Sequence, residues 1–202
     1  PTRRSSDLEG TLAFFEKIEL ALSPLPRSTV LGICHFPSFY EAMVATKAIV
    51  SLEPTAVELV DRTLIDLARD IDLFRNVISK VNQGEPEAVL LVEFAETEEG
   101  ENLRRLEYLR DLMGDLGYDT GMVEVIAPKM QRAVWGMRKQ GLNIVMSMKG
   151  DGKPISFVED CAVELEDLPE YTARLDAILR KYNTRGTCYA HASVGTLHVR
   201  PV

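Results

Sequence analysis

The chain has 202 residues, of which 46% are apolar and 27% are charged, and its net charge is −8. This length and composition are typical of a globular protein with one domain, or one and a half, and a real core. The negative charge argues against nucleic acid or an anionic membrane surface as the main partner, although a local arginine can still bind an anionic substrate. The sequence contains no apolar run of transmembrane length and no signal peptide.

The three cysteines, Cys34, Cys161 and Cys188, lie far apart and are flanked by strand-like sequence. The chain has no Cys-x-x-Cys pair, which argues against an iron-sulphur or structural zinc site within it. We therefore expect buried free thiols in a reducing compartment, and this favours a cytoplasmic protein.

The N-terminal segment divides into three parts. Residues 1–8 have no apolar period and resemble the translation of a sequencing-library adapter, so we expect a non-native leader and exclude it from fold reasoning. From Glu9 a strand is predicted to run to about Leu22. Pro24 and Pro26 follow, and because two prolines forbid sheet hydrogen bonds there, they predict a domain boundary.

Strands and helices are predicted to alternate from residue 28 to residue 126. Ser38 with Glu41 three residues later favours a helix start, and Gly117 ends a long helix. The predicted strands are 29–35, 56–60, 88–94 and 122–126, and the predicted helical segments are 38–50, 61–81 and 97–116. This order of elements is typical of a ferredoxin-like sheet.

A second unit is predicted to follow this first one. It comprises helices at 128–141 and 168–182, an extended or loosely helical stretch at 142–148, a strand at 155–163 and a hairpin from residue 187. We therefore predict an α+β fold, in which a ferredoxin-like antiparallel sheet carries its helices on one face and is extended by a second strand-helix-strand unit. Many functions use this fold, so it does not decide the activity.

Two of the three histidines, His191 and His198, lie in the predicted hairpin. On one straight strand they would point to opposite faces, and on one helix they would lie about 10 Å apart, which is too far for one metal ion. A strand-turn-strand with Gly195 in the turn lets the two imidazoles converge as a metal pair. On spacing alone, ordinary surface or hydrogen-bonded histidines are the commoner explanation.

The residues from His191 to Pro201, His-Ala-Ser-Val-Gly-Thr-Leu-His-Val-Arg-Pro, resemble the metal-binding signature of FAD-linked 2-hydroxyacid dehydrogenases of the vanillyl-alcohol-oxidase type. This family includes the D-lactate, glycolate and D-2-hydroxyglutarate dehydrogenases. In much of the family the spacer between the histidines is Gly-Asp-Gly-Asn, so the acidic spacer residue is missing here and its role does not carry over. The Ser-Val-Gly form resembles the branch that is fused to, or works with, an iron-sulphur domain.

The resemblance implies where the cofactor and the domains lie. Glu9, Gly10 and Thr11 resemble the end of the FAD-binding domain, where a glycine and a threonine let the backbone approach the cofactor. The implied division is residues 9–26 as the tail of that domain and residues 27–202 as a substrate (cap) domain, truncated at its C-terminus. FAD would be bound mainly by a domain that precedes Glu9.

The resemblance also implies the substrate-binding residues. Trp135-Gly-Met-Arg138 resembles a family helix whose arginine clamps the substrate carboxylate, a task that suits a planar guanidinium; without the resemblance a solvated arginine would be favoured. Lys153 is the second candidate for contacting the substrate, with Lys149 as its alternative. Glu159 and the next residue could serve as general bases by chemistry alone, but paired carboxylates at a strand end are usually solvated or paired with arginines.

The implied reaction is oxidation of a 2-hydroxyacid to the 2-oxoacid. Arg138 would hold the carboxylate, a divalent metal on His191 and His198, namely zinc, iron or manganese, would polarise the hydroxyl, and FAD would accept hydride. Electrons would pass to an iron-sulphur partner or a quinone, in the cytoplasm or at the periphery of the inner membrane. The implied catalytic residues would lie beyond the last residue, so we expect the chain alone to be inactive, and flavin turnover by it would contradict this.

Two other classes of function remain open at this point. A ferredoxin-like small-molecule or protein-binding module would leave the histidine pair unused and Arg138 solvated. A zinc hydrolase is disfavoured because no His-Glu pair lies on a helix nearby.

Overall fold

The computed structural model describes residues 14, 16–22, 25–119, 121–156 and 158–202. Within these residues, seven strands and seven α-helices form a mixed α+β structure. The strands are β1 (Val30–Phe36), β2 (Ala56–Asp61), β3 (Ala88–Phe94), β4 (Met122–Val125), β5 (Val158–Ala162), β6 (Gly186–His191) and β7 (Thr196–Pro201). The helices are α1 (Phe39–Val50), α2 (Arg62–Arg69), α3 (Asp72–Val81), α4 (Glu99–Asp115), α5 (Pro128–Lys139), α6 (Gly141–Met146) and α7 (Leu168–Lys181).

All seven strands lie in one antiparallel sheet with the order β4-β1-β3-β2-β6-β7-β5. The first four strands have the order expected of a ferredoxin-like unit, which confirms that prediction. The second unit extends the same sheet because β6 pairs with β2, with His191 directly opposite Glu58. The hairpin of β6 and β7 therefore lies beside the ferredoxin-like unit and not apart from it.

The helices cover both faces of the sheet, and the prediction of one covered face is corrected. Alternate strand residues enter two separate cores: Val57 and Leu90 face α1, α4 and α7, whereas Val60 and Leu91 face α2, α3, α5 and α6. We call these the first and the second face. All seven residues of β1 are buried, and a strand that is apolar along its whole length needs cover on both sides.

Helical cover of the second face ends at β2. The core on this face includes Val60 of β2 but no residue of β5, β6 or β7 among the described residues. On the first face the core continues across the sheet, because Ala190, Leu197 and Val199 all belong to it. The second face of β6, β7 and β5 is therefore free to carry polar side chains.

Local sequence signals explain where several helices begin. Ser38 accepts a hydrogen bond from the Glu41 amide at 3.1 Å and donates from its hydroxyl to the Glu41 carboxylate at 2.7 Å, which makes the predicted capping box. Asp61 caps α2 by accepting from the Leu64 amide at 2.9 Å. The end of β2 is thus fixed by the same residue that starts the next helix.

The structure decides between two alternatives at one predicted element, and it does not contain another predicted element in its described part. The stretch 142–148, predicted as extended or loosely helical, contributes to helix α6, whose Ile144 and Val145 are buried in the second core. The strand predicted to end near Leu22 is absent from the described part of it, residues 14 and 16–22. There Ile18 and Leu20 are exposed, since no neighbouring strand pairs with them.

The turn between β6 and β7 is the predicted one. A short 3-10 segment, Ala192–Val194, leads to Gly195, whose φ of 65° is left-handed. A Cβ on Gly195 would lie 2.0 Å from the backbone oxygen of Val163. Glycine is therefore required both by the dihedral angle and by the close approach of the strand end. Among the described residues no helix is long and apolar enough to cross a membrane.

Candidate functional site

The two hairpin histidines lie on the second face of the sheet. Tyr189 pairs with His198 and His191 pairs with Thr196, so the histidines are diagonal neighbours on adjacent strands. Their ring centroids are 5.3 Å apart and their planes are inclined at 84°. The hairpin thus brings together two side chains that seven residues of straight strand would hold on opposite faces.

One carboxylate joins His191 to Arg138. Glu58 lies on β2 opposite His191, and its Oε1 is 2.7 Å from His191 Nδ1. Its Oε2 accepts a hydrogen bond from Arg138 Nη2 on α5 at 2.6 Å. The exposed fractions of the Arg138 and Glu58 side chains are 11% and 14%, so this ion pair is largely shielded from water. The predicted substrate arginine and one predicted metal ligand are therefore held by the same side chain.

A second carboxylate repeats this arrangement on the other side of the hairpin. Glu159 on β5 has its Oε2 2.6 Å from His198 Nδ1. Its Oε1 lies 2.8 Å from Arg200 Nη2, and the Arg200 side chain is 7% exposed. The expectation that Glu159 pairs with an arginine agrees with this contact.

Tyr189 lies between the two His-Glu-Arg groups. The Cζ of Arg138 is 4.8 Å from the centre of the Tyr189 ring, and the Cζ of Arg200 is 5.3 Å from it. The His198 ring stacks on Tyr189 at 4.7 Å, and Arg200 Nε donates to the tyrosine hydroxyl at 3.0 Å. The aromatic ring fixes the positions of both guanidinium groups, since cations are attracted to its face.

Arg138 retains unused hydrogen-bonding capacity. Its only hydrogen bond among the described residues is the one from Nη2 to Glu58, and its Nε is buried without a partner. A guanidinium has five N–H donors in a fixed fork. An anionic ligand at Arg138 would therefore satisfy donors that the described residues leave unpaired.

The other predicted site residues are Lys153, its alternative Lys149, and three residues that the structure does not describe. Lys153 donates from Nζ to the Met148 carbonyl, and among the described residues no hydrogen bond or ion pair joins it to Arg138 or to His191. Its alternative, Lys149, is exposed. The three predicted FAD-contacting residues, Glu9, Gly10 and Thr11, lie outside the described residues. The structure thus brings together Arg138, His191 and His198.

In the part of the chain that the structure describes, no group of three or more His, Cys, Asp or Glu side chains is arranged to hold a metal ion. The two imidazoles alone still suit a shared ion. A zinc-type bond to an imidazole nitrogen is about 2 Å long. Two rings bound to one ion would therefore have centroids roughly 5 Å apart, and the observed distance between the centroids is 5.3 Å. Metal-binding histidines also commonly donate their other ring N–H to a carboxylate, as the contacts to Glu58 and Glu159 allow.

Three residues of the cluster were missed by sequence reasoning, namely Glu58, Tyr189 and Arg200. Glu58 carried a usable signal, because it is a charged residue between apolar neighbours in a predicted strand and such a residue needs a partner when the strand is buried. Arg200 and Tyr189 carried none, since only the hairpin register places them beside the histidines.

Comparison with known protein families shows where the chain belongs. Residues 25–202 match the family model described as FAD linked oxidases, C-terminal domain. The chain is 30% identical over 208 residues to D-2-hydroxyglutarate dehydrogenase of Escherichia coli K12, covering 99% of this chain and 20% of that protein. It is 29% identical over 216 residues to the Pantoea ananatis enzyme of the same name, again with 99% and 20% coverage. The chain thus spans about a fifth of the length of these relatives.

A mitochondrial D-lactate dehydrogenase [cytochrome] from Arabidopsis thaliana is 28% identical over 199 residues, covering 98% of this chain and 33% of that protein. Among solved structures, p-cresol methylhydroxylase with substrate bound superposes with a TM-score of 0.62 at 13% identity, covering 89% of this chain and 39% of that one. A 4-ethylphenol oxidase from Gulosibacter chungangensis superposes with a TM-score of 0.60 at 9% identity, with coverage of 89% and 40%. The solved structures share the fold of this chain, and the family match shows that residues 25–202 belong to the FAD linked oxidases, C-terminal domain family.

Proposed function

We propose that this chain is the substrate (cap) domain of a FAD-dependent dehydrogenase that oxidises a 2-hydroxyacid of the D-lactate, glycolate or D-2-hydroxyglutarate type to the 2-oxoacid. The observation that carries the proposal is the junction of Arg138, His191 and His198 on the second face of the sheet, beyond the described residues of its apolar core. The names of the relatives, D-2-hydroxyglutarate and D-lactate dehydrogenases, support the same class of substrate.

Arg138 is the proposed clamp for the substrate carboxylate. Its side chain is 11% exposed, its Nε has no hydrogen-bond partner in the part of the chain that the structure describes, and the Tyr189 ring lies against its guanidinium. A carboxylate meets a guanidinium with two parallel hydrogen bonds, which fixes both the position and the orientation of the acid. The α-carbon of the substrate is then held beside the histidine pair. Lys153 remains the second proposed substrate contact, with Lys149 as its alternative.

His191 and His198 are the proposed protein ligands of a divalent ion, for which zinc, iron and manganese all suit imidazole donors. Such an ion supplies Lewis-acid polarisation of the substrate hydroxyl. The carboxylates of Glu58 and Glu159 hold the two rings at Nδ1, and this orients each ring in the plane of the site. Any further ligand would come from outside the described residues.

FAD supplies the hydride acceptor in this proposal. The domain division at residue 26 and the contacts of Glu9, Gly10 and Thr11 with the cofactor belong to the same proposal. The same proposal includes an iron-sulphur domain or subunit as the electron acceptor. It also includes a location in the cytoplasm or at the inner membrane surface.

The test uses the protein encoded by the complete gene with its bound flavin. Under anaerobic conditions, D-lactate, glycolate and D-2-hydroxyglutarate are each added, and bleaching of the flavin absorbance is followed. We expect one of these acids to reduce the flavin, and Arg138→Met to lower kcat/KM about 100-fold or more because the carboxylate loses its clamp.

Arg132→Met is the matched control, because Arg132 lies on the same helix but its side chain is exposed and has no ion pair among the described residues. It should leave kcat/KM within about twofold of the wild type. The proposal is wrong if none of the three acids reduces the flavin, or if the Arg138 and Arg132 variants behave alike.

A further inference from the structure

We propose that Glu58 is a positioning residue that fixes both the tautomer of His191 and the guanidinium of Arg138 through the two oxygens of one carboxylate. The inference rests on the proposed function and deepens it, because it couples the residue that binds the substrate to a residue that binds the ion. Glu58 itself need touch neither substrate nor ion.

The two oxygens of Glu58 are divided between two donors. Oε1 faces His191 Nδ1 at 2.7 Å and Oε2 faces Arg138 Nη2 at 2.6 Å. Glu58 is 14% exposed and lies in the central part of the sheet, with both β3 and β6 beside its strand. Its carboxylate therefore has little freedom to turn away from either partner.

The contact between Glu58 Oε1 and His191 Nδ1 determines which nitrogen of the His191 ring carries the proton. An ionised carboxylate only accepts hydrogen bonds, so the ring must carry its proton on Nδ1. The neutral ring then presents a lone pair at Nε2, the nitrogen that makes no hydrogen bond among the described residues. The His191 side chain is 48% exposed, so this nitrogen is accessible to an ion on the open sheet face.

A glutamine at position 58 cannot serve both partners. An amide has one acceptor oxygen and one NH₂ group, whereas Arg138 can only donate. If the oxygen turns to Arg138, the NH₂ group faces His191 Nδ1, which must then accept and move its proton to Nε2. The substitution thus removes the lone pair from the nitrogen that would bind the ion, without changing the size of the side chain.

The repetition of the arrangement supports a positioning role over an incidental surface contact. Glu159 likewise divides its oxygens between His198 Nδ1 at 2.6 Å and Arg200 Nη2 at 2.8 Å. Tyr189 contacts both arginines, so the two groups share one aromatic support. Two carboxylates that each join an imidazole to a guanidinium hold both rings of the pair in the same way.

The experiment reads the tautomer directly, from the ¹⁵N chemical shifts of the histidine rings in the 202-residue chain at a pH above the ordinary imidazole pKa. The chain has three histidines, so His191 can be assigned with a single His191→Asn variant. We expect the Nδ1–H tautomer in the wild type and a shift towards Nε2–H in Glu58→Gln. The Zn²⁺ affinity of the chain should fall about 10- to 100-fold in the same variant.

Glu93→Gln is the matched control. Glu93 lies on β3 and accepts from Trp135 of the same helix α5 at 2.7 Å. A glutamine oxygen can still accept this hydrogen bond, so the variant makes the same chemical change to another sheet carboxylate while α5 keeps its place. It should leave the His191 tautomer unchanged. An Nε2–H tautomer in the wild type overturns the inference, and this reading is available even if Glu58→Gln fails to fold. An unchanged tautomer in a folded Glu58→Gln variant overturns it as well.

The inference and the proposed function fail in different ways. If the tautomer shifts as expected but no hydroxyacid reduces the flavin of the complete protein, the positioning role stands and the assigned activity is wrong. If the flavin is reduced but the tautomer does not respond to Glu58→Gln, the activity stands and the role of Glu58 is wrong.

Discussion

Asp61 is a buried carboxylate at the end of β2, with 7% of its surface exposed. It accepts hydrogen bonds from the Leu64 amide at 2.9 Å, the Cys188 amide at 2.7 Å and the Thr187 hydroxyl at 3.1 Å. Burial nevertheless raises the pKa of Asp61 from 3.8 to about 6, because the loss of water outweighs the three donors. Asp61 also lines a cavity of about 530 Å³ together with Cys188, Leu197 and Val199.

The raised pKa of Asp61 predicts how stability changes with pH. Because the folded state holds the proton more tightly than the unfolded state, the contribution of Asp61 is largest below about pH 4 and is lost as the pH rises through about 6. In urea unfolding, the free energy of unfolding of the wild type minus that of Asp61→Asn should fall by up to about 3 kcal/mol across this range. Asparagine does not titrate, and both proteins contain the same other carboxylates. The difference between their free energies of unfolding therefore isolates the pH dependence that Asp61 contributes. A difference that stays flat or rises with pH would contradict the account.

Single residues also show how much of the histidine site could be predicted from the sequence. The convergence of His191 and His198 followed from their spacing and from one glycine, because strand alternation and turn geometry are local properties. The partners of the histidines did not follow, since Glu58 is more than a hundred residues away in sequence and reaches His191 only through the pairing of β2 with β6. Long-range register is a tertiary property, and no periodicity in the chain encodes it.

At the scale of elements, the β6–β7 hairpin depends on Gly195. Its left-handed φ of 65° favours glycine, and a Cβ there would lie 2.0 Å from the backbone oxygen of Val163. Gly195→Ala should therefore lower the free energy of unfolding by about 3 kcal/mol or more, from dihedral strain and a backbone clash together. Chemical denaturation measures this loss.

Gly84→Ala is the control for the hairpin prediction. Gly84 has a nearly equal φ of 63°, but a Cβ there would meet nothing within 4 Å. This variant should cost only the strain of the dihedral angle, about 1 kcal/mol. Equal losses in the two alanine variants would show that the approach of Val163 to the hairpin is not important for stability.

Helix α5 is tied to the sheet by Trp135, whose Nε1 donates to Glu93 Oε1 at 2.7 Å. Burial raises the pKa of Glu93, and the hydrogen bond from Trp135 opposes this effect. Trp135→Phe should lower the free energy of unfolding by about 1–3 kcal/mol, because the partly buried carboxylate loses its donor. Tyr108→Phe removes a polar group from an exposed side chain and should change the free energy of unfolding by less than about 0.5 kcal/mol. Similar losses in both variants would contradict this assignment.

Helices and strands were predicted correctly where the signal in the sequence spans only a few neighbouring residues. Helix α1 was predicted to start at Ser38 and does, because a capping box acts over four residues. The 142–148 stretch was ambiguous, since a short apolar run fits a strand or a buried helix equally well. It contributes to a helix because Ile144 and Val145 fill the second core against Leu64 of α2 and Val134 of α5, and that contact cannot be inferred from the stretch itself.

At the scale of the whole molecule, the apolar core covers both faces of the sheet over its first four strands, whereas over the last three strands it covers only the first face among the described residues. The sequence predicted the strand order of the first unit but not the helices on both faces, although the unbroken apolar runs of β1 and β3 were a usable signal. The second face of the last three strands is where the chain places Arg200, His191 and His198, and Arg138 of α5 reaches the same place. Glu58 and Glu159 pair with both arginines there, so the charges of this cluster are largely compensated even though the whole chain has a net charge of −8.

The metal content of the complete protein tests the convergence of the two imidazoles most directly. The account predicts about one divalent ion per chain in the wild type, and loss of that ion in His191→Asn and equally in His198→Asn, because both rings bind the same ion. Elemental analysis after removal of loosely bound metal measures this. A wild type without the ion, or an ion that is retained when either histidine is replaced, would contradict the account.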